Sequence, residues 1–247
     1  MRLMNRILFI SDLHLADTRN RPGRDKSLLA ELASLIRRRG CSAVVNLGDT
    51  VSREDFRPEG VNGRETFQEY LCWRDTLGIP FRECSIFRER AFFRSLFNQA
   101  EDSTWTGLPG VAVLTFSPNH EDDHTATADQ WEWISREVSK THDRIAVIAS
   151  HVPYPGTCSR PITPGIYLPV PDTLRRQLES RELPVFWAAG HFHWAEEPPA
   201  VFGSLTAFMG GRILIDSMPE KTTYLRELDL DTLTITTLKA PFEETVL

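Results

Sequence analysis

Through its first three quarters the sequence alternates between two hydrophobic periods, and near residue 200 the alternation stops. Residues 6–11 (RILFIS), 43–47 (AVVNL), 111–116 (VAVLTF), 144–150 (RIAVIAS) and 185–189 (VFWAA) are near-continuous apolar runs of strand length. Runs of this kind fit strands buried on both faces of a sheet. Between them, residues 25–39 place Leu28, Leu29, Leu32, Leu35 and Ile36 on one helical stripe that stops at Gly40. Residues 65–77, 89–98, 127–140 (opened by Thr-Ala-Asp-Gln) and 172–181 read as further helices, and 81–86 as a weaker strand. Beyond residue 200 the apolar residues sit only in short β-type runs, at 205–209, 212–215, 223–228 and 232–238. A strand–helix series followed by a strand-only tail predicts two sheets packed together with helices outside, an α/β fold. At 247 residues, with 41% hydrophobic and 10% aromatic content, the chain can fill one large core, so residues 1–247 are expected to form a single domain.

Charge and cysteine usage narrow the function classes. A net charge of −6 argues against a surface that tracks nucleic-acid phosphates. The first apolar run breaks at Ser11-Asp12, too short for a signal h-region, and no run approaches a membrane span. The four cysteines (Cys41, Cys72, Cys84 and Cys158) show no CxxC spacing and read as small reduced thiols. A cytoplasmic protein with no membrane or nucleic-acid partner is expected.

The strand ends carry the chemistry. In open α/β folds ligands gather beyond the carboxyl ends of strands. Four predicted strands end on similar groups: Asp12-x-His14, Gly48-Asp49, His151, and Gly190-His191-Phe192-His193. Alternate residues of an extended chain share a face, so Asp12 and His14 can aim at one ion. Gly48 allows the tight turn that Asp49 needs to lean inward. Taken singly, a strand-end Asp or His is an ordinary capping group. Here four of the seven histidines fall at such ends, in one order. A mixed imidazole–carboxylate set suits Mn or Fe, with Zn, Ni or Co as further candidates, rather than Ca. Residues 52–64 and the proline-bearing 153–171 read as loops rimming this end, where Phe56, Arg57, Arg64, Tyr154, Arg160 and Tyr167 could meet a base or a phosphate.

The order D-x-H, G-D, lone H, G-H-x-H resembles the calcineurin-like metallophosphoesterases, and Ile10-Ser11-Asp12-Leu13-His14-Leu15 is close to that family's opening. The resemblance extends to residues 127–134 and to the β-rich tail. It implies a four-layer α/β/β/α sandwich and a two-metal site for hydrolysing phosphate esters. By matching position, Asp12, His14 and His193 would hold the first metal, Asp49 would bridge, and His151 and His191 would hold the second. The family also has a Gly-Asn-His block, whose Asn binds the second metal and whose His meets the phosphate. In this chain that block falls on Ser85-Ile86-Phe87-Arg88, and neither Ile86 nor Phe87 can bind a metal or move a proton. Arg88 is a candidate for charge stabilisation in their place. Asn119-His120 spells part of the block but follows a later strand and reads as a surface loop; His124 and His142 read as exposed. The expected function is metal-dependent hydrolysis of a small phosphomonoester or phosphodiester, with Asp49, His151 and Arg88 in catalytic roles. The alternatives are a metal-stabilised binding module and a non-phosphate reaction at an Fe or Mn pair.

Overall fold

The computed structural model describes residues 5–16, 22–51, 62–84, 97, 99–118, 125–158, 167–192, 198–213 and 223–240. The first of two six-stranded sheets contains β1 (Arg6–Ile10), β2 (Ala43–Asn46), β3 (Phe81–Glu83), β10 (Gly211–Arg212), β11 (Tyr224–Asp229) and β12 (Thr234–Lys239). Its parallel part, β1–β2–β3, is joined by α1 (Arg24–Arg39) and α2 (Asn62–Asp75). β11 runs antiparallel to β1 and to β12. The second sheet has the order β4 (Ser103–Trp105), β5 (Val111–Thr115), β6 (Ile145–Ser150), β7 (Val185–Ala189), β9 (Leu205–Met209), β8 (Ala200–Phe202). β5, β6, β7 and β9 are parallel, with α3 (Ala128–Lys140) and α4 (Asp172–Glu179) in the β5–β6 and β6–β7 connections.

Alternation along the buried strands builds the layers. Ile7, Phe9, Ala43 and Val45 of the first sheet meet Val113, Val147, Ala149, Phe186 and Ala188 of the second in one inter-sheet core. The intervening residues Leu8, Ile10 and Val44 face the other way, against Leu28, Leu32, Leu35 and Ile36 of α1 and Phe67 and Tyr70 of α2. On the far side, Leu114, Ile148 and Trp187 pack against Ile134 and Val138 of α3 and Leu174 and Leu178 of α4. Each fully buried Leu or Ile contributes about 1.5–3 kcal/mol by leaving water, so the apolar strands need a cover on both faces. The result is the four-layer α/β/β/α sandwich.

The helix signals act as local chemistry predicts. α1 carries Asp25 in its first turn and Arg37, Arg38 and Arg39 in its last, each sign against the opposite end of the helix dipole. Gly40, at φ 61°, closes it in a left-handed turn, with Gly40 N–H on Arg37 O and Cys41 N–H on Ile36 O. α3 begins with a capping box in which Thr127 and Gln130 satisfy each other's backbone N–H groups. Two strands escape the sequence reading: β4 and β8 are three-residue edge strands without a buried run. Arg64, expected in a loop, is an exposed residue of α2. The expected helix at 89–98 lies outside the described residues except at Phe97. Among the described residues, no helix is long and apolar enough to cross a membrane.

Candidate metal centre

The carboxyl ends of β1 and β2 in one sheet, and of β6 and β7 in the other, carry the site. Past the end of β1 the chain stays paired with the turn after β2: Asp12 N–H donates to Gly48 O (3.0 Å), His14 N–H to Asp49 O (3.1 Å) and Leu15 N–H to Thr50 O (2.9 Å). Four of the six described non-glycine residues with positive φ are here: Asp12 (56°), His14 (44°), Asp49 (54°) and His191 (74°). A side chain in this region is strained and persists only where surrounding contacts impose it. Such contacts are present. Arg24 Nη1 donates to Leu13 O at 2.8 Å, and Ala16 N–H donates to Asp25 Oδ2 at 2.6 Å, which pins the first turn to the start of α1. Ser11 Oγ and His191 N–H, the latter at 3.2 Å, both donate to Asp12 Oδ2. Gly190 makes that approach possible, because a Cβ there would lie 2.0 Å from Ser11 Oγ and 3.1 Å from His151 Nδ1.

Asp12, Asp49 and His151 each offer a ligand atom, and these atoms lie within 4.8 Å of one another, all on buried residues. His151 Nδ1 sits 2.9 Å from Leu47 O; only a protonated Nδ1 can donate there, so Nε2 keeps its lone pair. That Nε2 is 3.2 Å from His191 Nδ1. Two nitrogens held by one ion at about 2.1 Å stand roughly 3.0–3.4 Å apart, so this spacing suits a shared ion. His14 Nε2 lies 3.7 Å from Asp49 Oδ2. The other carboxylate oxygen, Asp49 Oδ1, is buried with no hydrogen-bond partner among the described residues, a costly state that a cation would relieve. The donor set and its arrangement therefore fit a divalent metal.

Of the residues picked from the sequence, Asp12, His14, Asp49, His151 and His191 come together at this one end. His193, Ile86, Phe87, Arg88, Asn119, His120, His124, Phe56, Arg57 and Arg160 lie outside the described residues. His142 is exposed, as expected. Tyr154 is not a rim residue: it is buried, its ring against Trp187 and Phe202 and its hydroxyl 3.4 Å from Glu179. Tyr167 does stand beside the site, packed edge-on to Phe192 with its hydroxyl on Cys158 O. The four cysteines are free, with only Cys72 exposed. The sequence reading missed Ser11, which holds Asp12 in place, and Asn46, whose signal was a polar residue inside a run of buried ones.

No family model and no curated protein matches the sequence. Solved structures do. A dimetal phosphatase from Danio rerio is similar at a TM-score of 0.68 and 12% identity, over 96% of this chain and 99% of that one. A Staphylococcus aureus protein assigned as a 5′-nucleotidase, in complex with α-ketoglutarate, is similar at a TM-score of 0.55 and 11% identity, over 95% of this chain and 52% of its own. With two packed sheets between helical layers, and with these neighbours, the chain has the calcineurin-like metallophosphoesterase fold.

Proposed function

We propose that the protein is a metal-dependent hydrolase of a small phosphomonoester or phosphodiester. The observation that carries this reading is the buried Asp12–Asp49–His151 cluster at the carboxyl ends of strands from both sheets. In the proposed assignment Asp12, His14 and His193 would hold one ion and His151 and His191 a second, with Asp49 shared between them; Mn or Fe would suit the donors best. When bound, such a pair supplies an activated water and positive charge for the oxygens of the phosphoryl group.

The chain's own groups do the rest. His151 is fixed in one tautomer by Leu47 O, so its Nε2 faces the site without a proton. Asp12 is held from two sides by Ser11 and the His191 amide, which sets its carboxylate orientation before any ligand arrives. We assign Arg88, two residues past Ile86, the role of meeting the non-bridging phosphate oxygens, since a guanidinium matches that geometry. Ile86 and Phe87, standing in the third block, would offer a second ion no ligand and a leaving group no imidazole acid.

Elemental analysis of purified protein, beside a chromogenic phosphodiester assay with and without Mn²⁺, tests the reading. Wild type is expected to keep one tight and one weaker ion and to hydrolyse the ester faster with Mn²⁺; Asp49→Ala should lose both properties, whereas His120→Ala should keep them. Metal without hydrolysis would favour a binding module, and absence of metal would end the proposal. The double change Ile86→Asn with Phe87→His should raise turnover by about 10²-fold or more, the usual worth of a restored acid.

A further inference from the structure

Beneath the Asp49 turn lies a chain of buried polar side chains that metal binding and the proposed reaction do not use directly. Asn46 is the last residue of β2, in register with Glu83, the last of β3, and both face α2. Asn46 and Tyr70 are fully buried and Glu83 is 1% exposed. Asn46 reaches around the turn. Its Oδ1 accepts from Gly48 N–H (3.2 Å), and its Nδ2 donates to Thr50 Oγ1 (2.9 Å) and to Tyr70 Oη (3.0 Å). One amide thus grips the residues immediately before and after Asp49. Gly48 and Thr50 in turn accept from the Asp12 and Leu15 amides, so the same grip extends to the turn after β1.

The partners set the direction of the bonds from Asn46 to Glu83. Gly48 N–H needs an acceptor, which puts the Asn46 oxygen there and its NH₂ toward Thr50 and Tyr70. Tyr70 Oη accepts from that NH₂, so its own proton goes to Glu83, 3.2 Å from both carboxylate oxygens. Arg74 Nη1, 3.4 Å from Glu83 Oε1, closes the chain. Core stability alone gives little reason for this. Apolar side chains of similar volume would fill the space without burying an ionisable group, whereas a satisfied polar network fixes one geometry.

We propose that Asn46, Tyr70 and Glu83 are positioning residues that hold the strained Asp49 turn in its metal-binding shape. The inference rests on the functional reading above. It assigns the three residues an effect on metal affinity although none of them is a ligand.

The test pairs two readouts: Mn²⁺ affinity by competition with a chelating dye, and hydrogen exchange at the Gly48–Val51 amides in metal-free protein. Tyr70→Phe removes one oxygen and Glu83→Ala removes the acceptor; each should weaken Mn²⁺ binding about 10–100-fold, as changes to groups that orient ligands do, and should speed exchange at Gly48. Glu83→Gln keeps an oxygen for the Tyr70 proton and should recover affinity to within several-fold of wild type. Tyr154→Phe, which loses the hydroxyl of another buried tyrosine, bonded to Glu179 in the opposite layer, should change neither readout. Unchanged affinity and exchange in Tyr70→Phe would overturn the inference, as would equal losses in Tyr154→Phe. A wild-type protein that binds no Mn²⁺ would sink the proposed function instead; the exchange readout would still decide whether the chain holds the turn.

Discussion

The two sheets hold their site-bearing ends by different means. In the first sheet, under α2, a polar chain runs from the buried Asn46, Tyr70 and Glu83 to the half-buried Arg74. In the second, Phe116, Trp131, Tyr154 and Trp187 form an aromatic layer, and the polar side chain that meets it at the end of β6 is Ser150. Ser150 Oγ accepts from Trp187 Nε1 at 3.0 Å and donates to Val152 O at 2.7 Å, steadying the turn that follows His151. The difference tracks the backbone. The first sheet presents Asp12, His14 and Asp49 all from turns with positive φ; in the second His191 has one too, but His151 leaves the end of β6 without one. Strained turns offer N–H and C=O groups that no ladder satisfies and need side chains to hold them. A ligand presented straight from a strand end needs mainly packing.

This contrast can be broken at either side. Trp187→Ala should produce the largest effect, a loss of about 3–5 kcal/mol in urea-induced unfolding, because it empties the centre of the aromatic layer. Mn²⁺ affinity measured well below the unfolding transition should stay within several-fold of wild type; a collapse in affinity would show that packing in this layer also shapes the metal ligands. Ser150→Ala should cost less, about 1–3 kcal/mol, by leaving the Trp187 indole and the Val152 carbonyl without their partner. Differential scanning calorimetry would measure it, and no change in Tm would mean that the serine steadies nothing.

The smallest effect concerns pH. Burial raises the Glu83 carboxyl above its ordinary value of 4.5, and the nearby Arg74 only partly opposes this. The native state therefore keeps this proton to higher pH than the unfolded chain does. Between 4.5 and the raised native value the native state binds more protons, so Glu83 makes stability fall as pH rises through that window. Unfolding free energies of Glu83→Gln across the window should lack that decline. Identical slopes in the two proteins would mean that Glu83 is solvated or fully ionised in the fold.

Much of this architecture was legible because β1, β2, β5, β6 and β7 are buried on both faces and their runs are nearly all apolar. The ligand residues were legible for a related reason, since a charged or imidazole group directly after such a run has few places to go but the strand end. β4 and β8 were not, because a three-residue edge strand defined by its partner leaves little periodicity. The hold on Asp49 was hidden as well: Asn46, Tyr70 and Glu83 are separated by 24 and 13 residues and meet only through pairing of β2 with β3 and packing of α2. The tight fit at Gly190 depends on Ser11, which belongs to the other sheet.

The placement of β1 has a consequence for biosynthesis. Its Leu8 pairs with Val44 on one edge and with Glu227 on the other. As the chain leaves the ribosome, the first edge can close once β2 has emerged, but the second must wait for β11. At about 5–20 residues per second that interval is roughly 10–40 s. Throughout it, the most apolar strand of the first sheet offers an unpaired edge, the kind that invites pairing with another chain. Chains released before residue 224 would keep that edge open. Aggregation of truncated products, and protection of nascent ones by chaperones, should therefore depend on a strand of five residues near the start of the sequence.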